Sequence, residues 1–174
     1  ARAMSGKPRR KSPALERYAV IDLETTGLSP EHDEIIEVGA LIVCAGQIEA
    51  EFQELLRPKA RISPEIERLT GLTGALLEAE GKTLQEVMPA FLQFIGPLPV
   101  ISHNAEFDCN FLRAACGDCE LPLFSNPSID TCELARRTVK DVPDCKLQTL
   151  AEHFQLTVSA KHRSLADCLT TKQL

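Results

Sequence analysis

The stretch Tyr18-Ala19-Val20-Ile21-Asp22-Leu23-Glu24 decides the fold. Its apolar, β-branched run ends in two acids, the pattern of a short central strand that delivers charge at its C-terminal end. Residues at i and i+2 on a strand share a face, so Asp22 and Glu24 are presented side by side. A like-charge pair of this kind is costly, and a divalent cation is the simplest way to neutralise it. Thr25, Thr26 and Gly27 follow as a tight turn. Residues 28–33 read as a loop whose backbone amides can meet a substrate end.

Outward from that strand, Ile35 to Cys44 and Gln47 to Leu56 are strand-like runs separated by Ala45 and Gly46. They predict a hairpin, and with it a sheet that is mixed at one side. Residues 61–70 read as a short helix, with Ser63 as N-cap, Pro64 at the first helical position and Gly71 as the stop. Leu84, Val87, Met88, Phe91, Leu92 and Ile95 recur at helical spacing before Pro97, as in an amphipathic helix packed on the sheet. Pro99 to Ser102 is a further buried strand. It runs into a helix with Asp108 in the first turn and Phe107, Phe111 and Leu112 toward the core.

Pro127 to Asp130 reads as the last strand, and Thr131 to Thr138 and Lys146 to Phe154 as helices. Leu147, Leu150 and Phe154 form the apolar side of the second of these. Ser164 is expected to cap a final helix that carries Asp167. Strands alternating with helices after an initial hairpin make an α/β, three-layer domain with a mixed central sheet flanked by helices.

Composition narrows the alternatives. A chain of 174 residues with 44% hydrophobic content fits one domain with a core of ordinary size. No run approaches the roughly 18 apolar residues of a bilayer span, and no signal-peptide pattern opens the chain, so a cytoplasmic protein without membrane partners is expected. The seven cysteines are an odd number in a chain too long for a disulfide-stapled mini-fold, which favours free thiols in a reducing compartment. Cys116 and Cys119 form a single CxxC, a weak signal for zinc or redox chemistry when no second pair accompanies it.

Charge is unevenly placed. Arg2, Lys7, Arg9, Arg10 and Lys11 all fall in the first eleven positions, and removing these five from the net of −6 leaves −11 for the remainder. Residues 1–16, with Gly6, Pro8 and Pro13 among the charges, read as a basic flexible linker or arm, and residues 17–174 as the catalytic domain. The start at Ala1 with Met4 internal is that expected of a piece of something longer. An acidic body is an odd balance for binding nucleic acid by charge alone.

Three motifs in order carry a family resemblance: Asp22-Leu-Glu-Thr-Thr-Gly27, His103-Asn-Ala-Glu-Phe-Asp-Cys-Asn-Phe-Leu112 and His162-Arg-Ser-Leu-Ala-Asp167. Together they resemble the exonuclease motifs of the DnaQ-like DEDDh family of 3′-to-5′ exonucleases, which have the RNase H-like fold. The five family positions fall on Asp22, Glu24, Asp108, His162 and Asp167. The likeness extends over nearly all of residues 17–174, including Leu69 to Thr73 and Lys146 to Phe154.

The resemblance implies a two-metal phosphodiester hydrolase. Two Mg²⁺ or Mn²⁺ ions, about 3.5 to 4 Å apart, answer the repulsion of an anionic substrate and the poor alkoxide leaving group. Asp22, Glu24 and Asp167 would hold the ion that activates water, Asp22 would bridge to the second ion, and Asp108 would complete the site through bound waters. Oxygen-only ligation suits these hard ions better than zinc. His162, with an ordinary pKa of about 6.5, would accept the proton of the attacking water. Thr25 and Thr26 would hold the terminal nucleotide and Leu28 or Leu69 would wedge against its base. Asn104 is a further candidate contact, although stabilising its turn is the stronger expectation for it. His103, His32 and His153 read as structural or surface residues.

The implied substrate is single-stranded DNA or a 3′ overhang, with RNA possible, cut to nucleoside 5′-monophosphates. Partners follow from the resemblance too. One setting is a domain fused to a CRISPR adaptation protein, trimming prespacer overhangs. A polymerase proofreading subunit is the alternative, since the ETTG of the first motif resembles the proofreading branch. The rival from another class is an inactive relative that only binds nucleic acid.

Overall fold

A computed structural model describes residues 16–156 and 163–174. Strand β1 (Arg17–Thr25) is the middle of a five-stranded sheet. Strands β2 (Ile35–Cys44) and β3 (Gln47–Leu55) form the predicted hairpin on one side of it. Ala45 and Gly46, at φ of 49° and 78°, take the left-handed conformations that a two-residue connection requires. On the other side, β4 (Val100–Ser102) runs parallel to β1, and β5 (Ser128–Asp130) runs parallel to β4. The order is β3-β2-β1-β4-β5, mixed as expected.

Helix α1 (Pro64–Thr70) begins at Ser63, whose hydroxyl accepts from the Ile66 amide at 3.3 Å, and stops at Gly71 with φ of 73°. A second short helix, α2 (Gly74–Glu80), follows behind its own Thr73 cap. The sequence reading had no element there. Helix α3 (Leu84–Ile95) keeps the predicted apolar stripe, burying Val87, Met88, Phe91 and Ile95, and tolerates Pro89 within its length. Helix α4 (Ala105–Asp118) follows β4, and α5 (Thr131–Thr138) follows β5.

Helix α6 (Leu147–His153) buries Leu150 and Ala151 but leaves Phe154 exposed, because Phe154 is the C-cap beyond the last helical turn. Helix α7 (Ser164–Gln173) differs at its start: Ser164 is its first helical residue rather than its cap, and the N-cap position belongs to Arg163. The helix start is served instead by an acid from the sheet. The Glu37 carboxylate accepts from the Ser164 amide at 2.6 Å, supplying the negative charge that favours a helix N-terminus.

Side-chain alternation along β1 sorts the layers. Ala19, Ile21 and Leu23 point to one face and pack with α3 and α4 in the main core. Val20 points to the other and packs with Leu41, Val43, Cys168, Leu165 and Leu169. The sheet is therefore sandwiched between α3 and α4 on one side and α7 on the other, while Ile36, Ile62, Leu72 and Leu77 form a small core beneath α1 and α2. No helix among the described residues is long and apolar enough to cross a membrane. All seven cysteines are free thiols.

The seat of α7 depends on Gly39 in β2. A Cβ there would lie 2.6 Å from Ser164 Oγ and 2.8 Å from the backbone nitrogen of Leu165. Gly39→Ala should therefore push α7 off the sheet, at about 2 kcal/mol by the usual cost of overpacking. A fall in Tm of roughly 4 to 8 °C is expected for a chain of this size. Thermal denaturation followed by circular dichroism checks this, and an unchanged Tm would show that α7 does not rest on that glycine.

Candidate active site

The register of β1 and β2 places Asp22 opposite Gly39 and Glu24 opposite Glu37. Strand alternation then turns Val20, Asp22 and Glu24 to the α7 face, together with Leu41, Gly39 and Glu37. Because Gly39 lacks a side chain, the first turn of α7 comes close enough for its Asp167 to reach β1. Oxygens of Asp22, Glu24 and Asp167 lie within 4.8 Å of one another. Two strand residues and one helix residue, about 145 positions apart in sequence, thus converge on one point.

Three carboxylates at that separation resist ionising together. Burial holds the Asp22 carboxyl well above the usual carboxylate range, and the charges of Asp108, Glu24, Asp167 and Glu37 add to the rise. Glu24 is pushed up to about 9 by burial and then by Asp167, Glu37 and Asp108, with Arg163 acting in the opposite sense. Asp108, 3% exposed, is raised to about 8 by burial, although a hydrogen bond donated by the Ser102 hydroxyl pulls its pKa down.

Asp22 Oδ2 is buried without a hydrogen-bond partner among the described residues. A buried carboxyl oxygen without a partner, beside two further acids, fits a hard divalent cation such as Mg²⁺ or Mn²⁺. The donor set is all oxygen.

Asp108 stands outside the tight trio yet close enough to act on Asp22 through its charge. His162 lies outside the described residues, as do residues 157–161. The loop after β1 is internally braced. Thr25 Oγ1 donates to the Gly27 carbonyl at 2.7 Å, and Thr26 Oγ1 accepts from the Glu34 amide at 2.9 Å. Asp33, which the sequence reading passed over, is its post: it accepts from the Ser29 amide at 2.9 Å and fills the space where a Cβ on Gly27 would sit. Leu28 is thereby held out into solvent at 84% exposure, and Leu69 is half-exposed at the end of α1.

Asn104 occupies the left-handed region at φ of 72° and donates its backbone amide to Asp130 Oδ1 at 2.9 Å. That is a turn-forming role. Asp130 also caps α5, accepting from the Cys132 amide. His103 bridges Thr131 Oγ1 at 2.9 Å and the Cys145 carbonyl at 2.6 Å, so it fastens β4 to later segments, while His32 and His153 are exposed.

Sequence reasoning missed Glu37 and left Arg163 without a role. Glu37 is fully buried and bonded to the Arg163 guanidinium, with Nη2 at 2.8 Å and Nε at 3.1 Å from Oε2. The available signal was an acid inside the otherwise apolar run Ile35–Cys44, since a fully buried Glu calls for a partner.

The exonuclease family of the RNase T type matches residues 19–174. DNA polymerase III subunit epsilon of Aquifex aeolicus is 35% identical over 157 residues, which cover 90% of this chain and 77% of that protein. The PolC-type DNA polymerase III of Clostridium perfringens is 35% identical over 159 residues, 91% of this chain but only 11% of that much longer protein. Among solved structures, exonuclease X in complex with 5′ overhanging duplex DNA is 28% identical with a TM-score of 0.70, covering 89% of this chain and 86% of that one. E. coli exonuclease I in complex with a dA16 oligonucleotide has a TM-score of 0.81 at 16% identity, over 91% of this chain and 39% of that one, a likeness of fold. With the family matched over residues 19–174 and a carboxylate trio at the end of the central strand, the chain belongs to the DnaQ-like exonucleases, phosphodiester hydrolases of RNase H-like fold.

Proposed function

We propose that the chain is a metal-dependent exonuclease domain, spanning residues 17–174 behind a basic arm, that removes nucleotides from the 3′ end of single-stranded DNA in the cytoplasm. The observation that carries this reading is the convergence of Asp22, Glu24 and Asp167 oxygens within 4.8 Å, with Asp22 Oδ2 unpartnered. Asp22, Glu24 and Asp167 would hold Mg²⁺ or Mn²⁺, with Asp108 beside them. Two such ions would supply the positive charge that lets an anionic phosphodiester meet an oxygen nucleophile and lose an alkoxide.

The protein's own groups do the rest. His162 takes the proton of the attacking water. The braced loop of Thr25 and Thr26 receives the terminal nucleotide, and Leu28 and Leu69 offer apolar surface to its base. Asn104 shapes the turn that leads into α4. An end-reading loop beside the carboxylates favours removal of terminal nucleotides, each released as a nucleoside 5′-monophosphate.

The setting follows from the relatives. Both polymerase III proteins are about 35% identical to this chain, which favours a proofreading module acting with a replicative polymerase over the trimming of CRISPR prespacers. In the PolC-type relative the matching region is a small part of a larger chain, so a covalent or bound partner that also handles nucleic acid is part of the proposal.

Mononucleotides should appear from a 3′-labelled single strand only when Mg²⁺ or Mn²⁺ is added; release from the 5′ end, or binding without cleavage, would overturn the reading. Asp22→Ala should abolish that release, and substantial residual activity would remove Asp22 from the site. His162→Ala should lower kcat about 10²- to 10⁴-fold, the usual reach of general-base catalysis, with KM nearly unchanged. Equal losses in both would count against the proton-transfer role. Leu28→Ala should raise KM about fivefold, the equivalent of about 1 kcal/mol, at constant Tm.

Stability should depend on pH in a direction fixed by the raised pKa values. Without metal, the folded protein keeps protons on Glu24 and Asp108 up to about 9 and about 8, whereas their ordinary values are 4.5 and 3.8. Between those limits the folded state binds more protons than the unfolded one, so stability falls as pH rises from about 4 to about 9. Saturating Mg²⁺ should flatten this slope. Tm measured in EDTA and in Mg²⁺ across that range checks it, and identical slopes would mean that no cation enters the trio.

A further inference from the structure

Glu37 and Arg163 belong to none of the roles assigned above, yet they form the most completely bonded charged pair among the described residues. Glu37 is wholly buried on β2, directly across the ladder from Glu24. Its Oε2 accepts from Arg163 Nη2 at 2.8 Å and Nε at 3.1 Å, and from Gln53 Nε2 at 3.3 Å. Its Oε1 accepts from Arg163 Nε at 3.2 Å and from the Ser164 amide at 2.6 Å.

One carboxylate therefore grips both the side chain of the N-cap residue of α7 and the first backbone amide of that helix. Four residues from the grip stands Asp167, whose own amide donates to the Arg163 carbonyl at 2.8 Å. Behind the same turn, Gly39 allows Ser164 and Leu165 to lie against β2, and Cys168 Sγ donates to the Gly39 carbonyl at 3.5 Å. An acid that contributes nothing to the carboxylate trio is thus bound, through one helical turn, to a residue that does.

We propose that the Glu37–Arg163 pair is a positioning clamp that fixes Asp167 against Asp22 and Glu24 and thereby sets the affinity of the site for a divalent cation. The inference rests on the metal-centred reading above. Arg163 is a positioning residue here, not a catalytic one: a planar, forked guanidinium grips a carboxylate in a fixed orientation, which a lysine cannot reproduce. Groups that orient metal ligands from behind usually alter metal affinity by about 10- to 100-fold when removed.

The sign of the effect separates a clamp from simple electrostatics. Removing a nearby positive charge should tighten cation binding if the pair acts through charge alone. Loss of the clamp should loosen it. Mn²⁺ binding would be measured by electron paramagnetic resonance of free Mn²⁺, well below each variant's Tm, for the wild type, R163Q and R163K.

The clamp predicts that R163Q binds Mn²⁺ about tenfold more weakly, with a matching rise in the Mn²⁺ concentration needed for half-maximal cleavage and recovery of kcat at saturating Mn²⁺. R163K keeps the charge, and the Arg163 side chain is already 34% exposed, so this variant remains informative if R163Q fails to fold. It should also bind Mn²⁺ more weakly. Folded R163Q with wild-type or tighter Mn²⁺ affinity overturns the clamp, as does R163K with unchanged affinity where only that variant folds. Absence of Mn²⁺ binding by the wild type overturns the metal-centred reading itself, and the clamp with it.

Discussion

Four acids on one face of a central β-sheet are the constraint to which the rest of this structure answers. Asp22 and Glu24 on β1, Glu37 on β2 and Asp167 on α7 gather there, the last two buried and the β1 pair partly so. Like charges directly across a ladder, as at Glu24 and Glu37, destabilise a sheet unless something neutralises them. Two solutions operate side by side. Glu37 is matched inside the protein by Arg163 and two further donors. Asp22 Oδ2 has no such match among the described residues, and burial raises the pKa of the Asp22 and Glu24 carboxyls. The fold completes Glu37 and leaves Asp22 Oδ2 without a hydrogen-bond partner among the described residues.

Much of this was legible in the sequence, and the reason is local periodicity. The period of two in the stretch around Asp22 and the Ala45-Gly46 connection fix the central strand and its hairpin. Ser63, Pro64 and Gly71 punctuate α1, and the apolar stripe of α3 is plain. The order of the three motifs pointed to the carboxylates that the chain brings together. Nonlocal features stayed hidden. The partner of Glu37 lies 126 positions away, beyond the reach of any spacing argument. The helix start at Ser164 was misread because its cap comes from another element. Helix α2 has seven residues and buries only Leu77, too few for a periodic signal. Phe154 was placed inside because heptad spacing does not reveal where a helix ends. For His162 the structure has no description to set beside the motif.

The charge balance acquires a meaning from the site. A body of net −11 outside the first eleven residues does not attract a polyanion. Under the proposed function, affinity would come from cations held between protein and phosphate and from apolar contact with bases. The strongly exposed Leu28, carried on a loop braced by Asp33, suits the second of these.

The seat of α7 has a consequence for when the carboxylate cluster forms. Asp22 and Glu24 lie in the first strand, whereas Asp167 arrives on α7 after every other described element has been laid down. A chain caught during synthesis, or one whose α7 has locally unfolded, presents two carboxylates rather than three. Completion of the carboxylate trio is then a late event, reached only when that helix docks over Gly39. Any shorter stretch of this sequence that stops before Asp167 therefore lacks the three-acid cluster altogether.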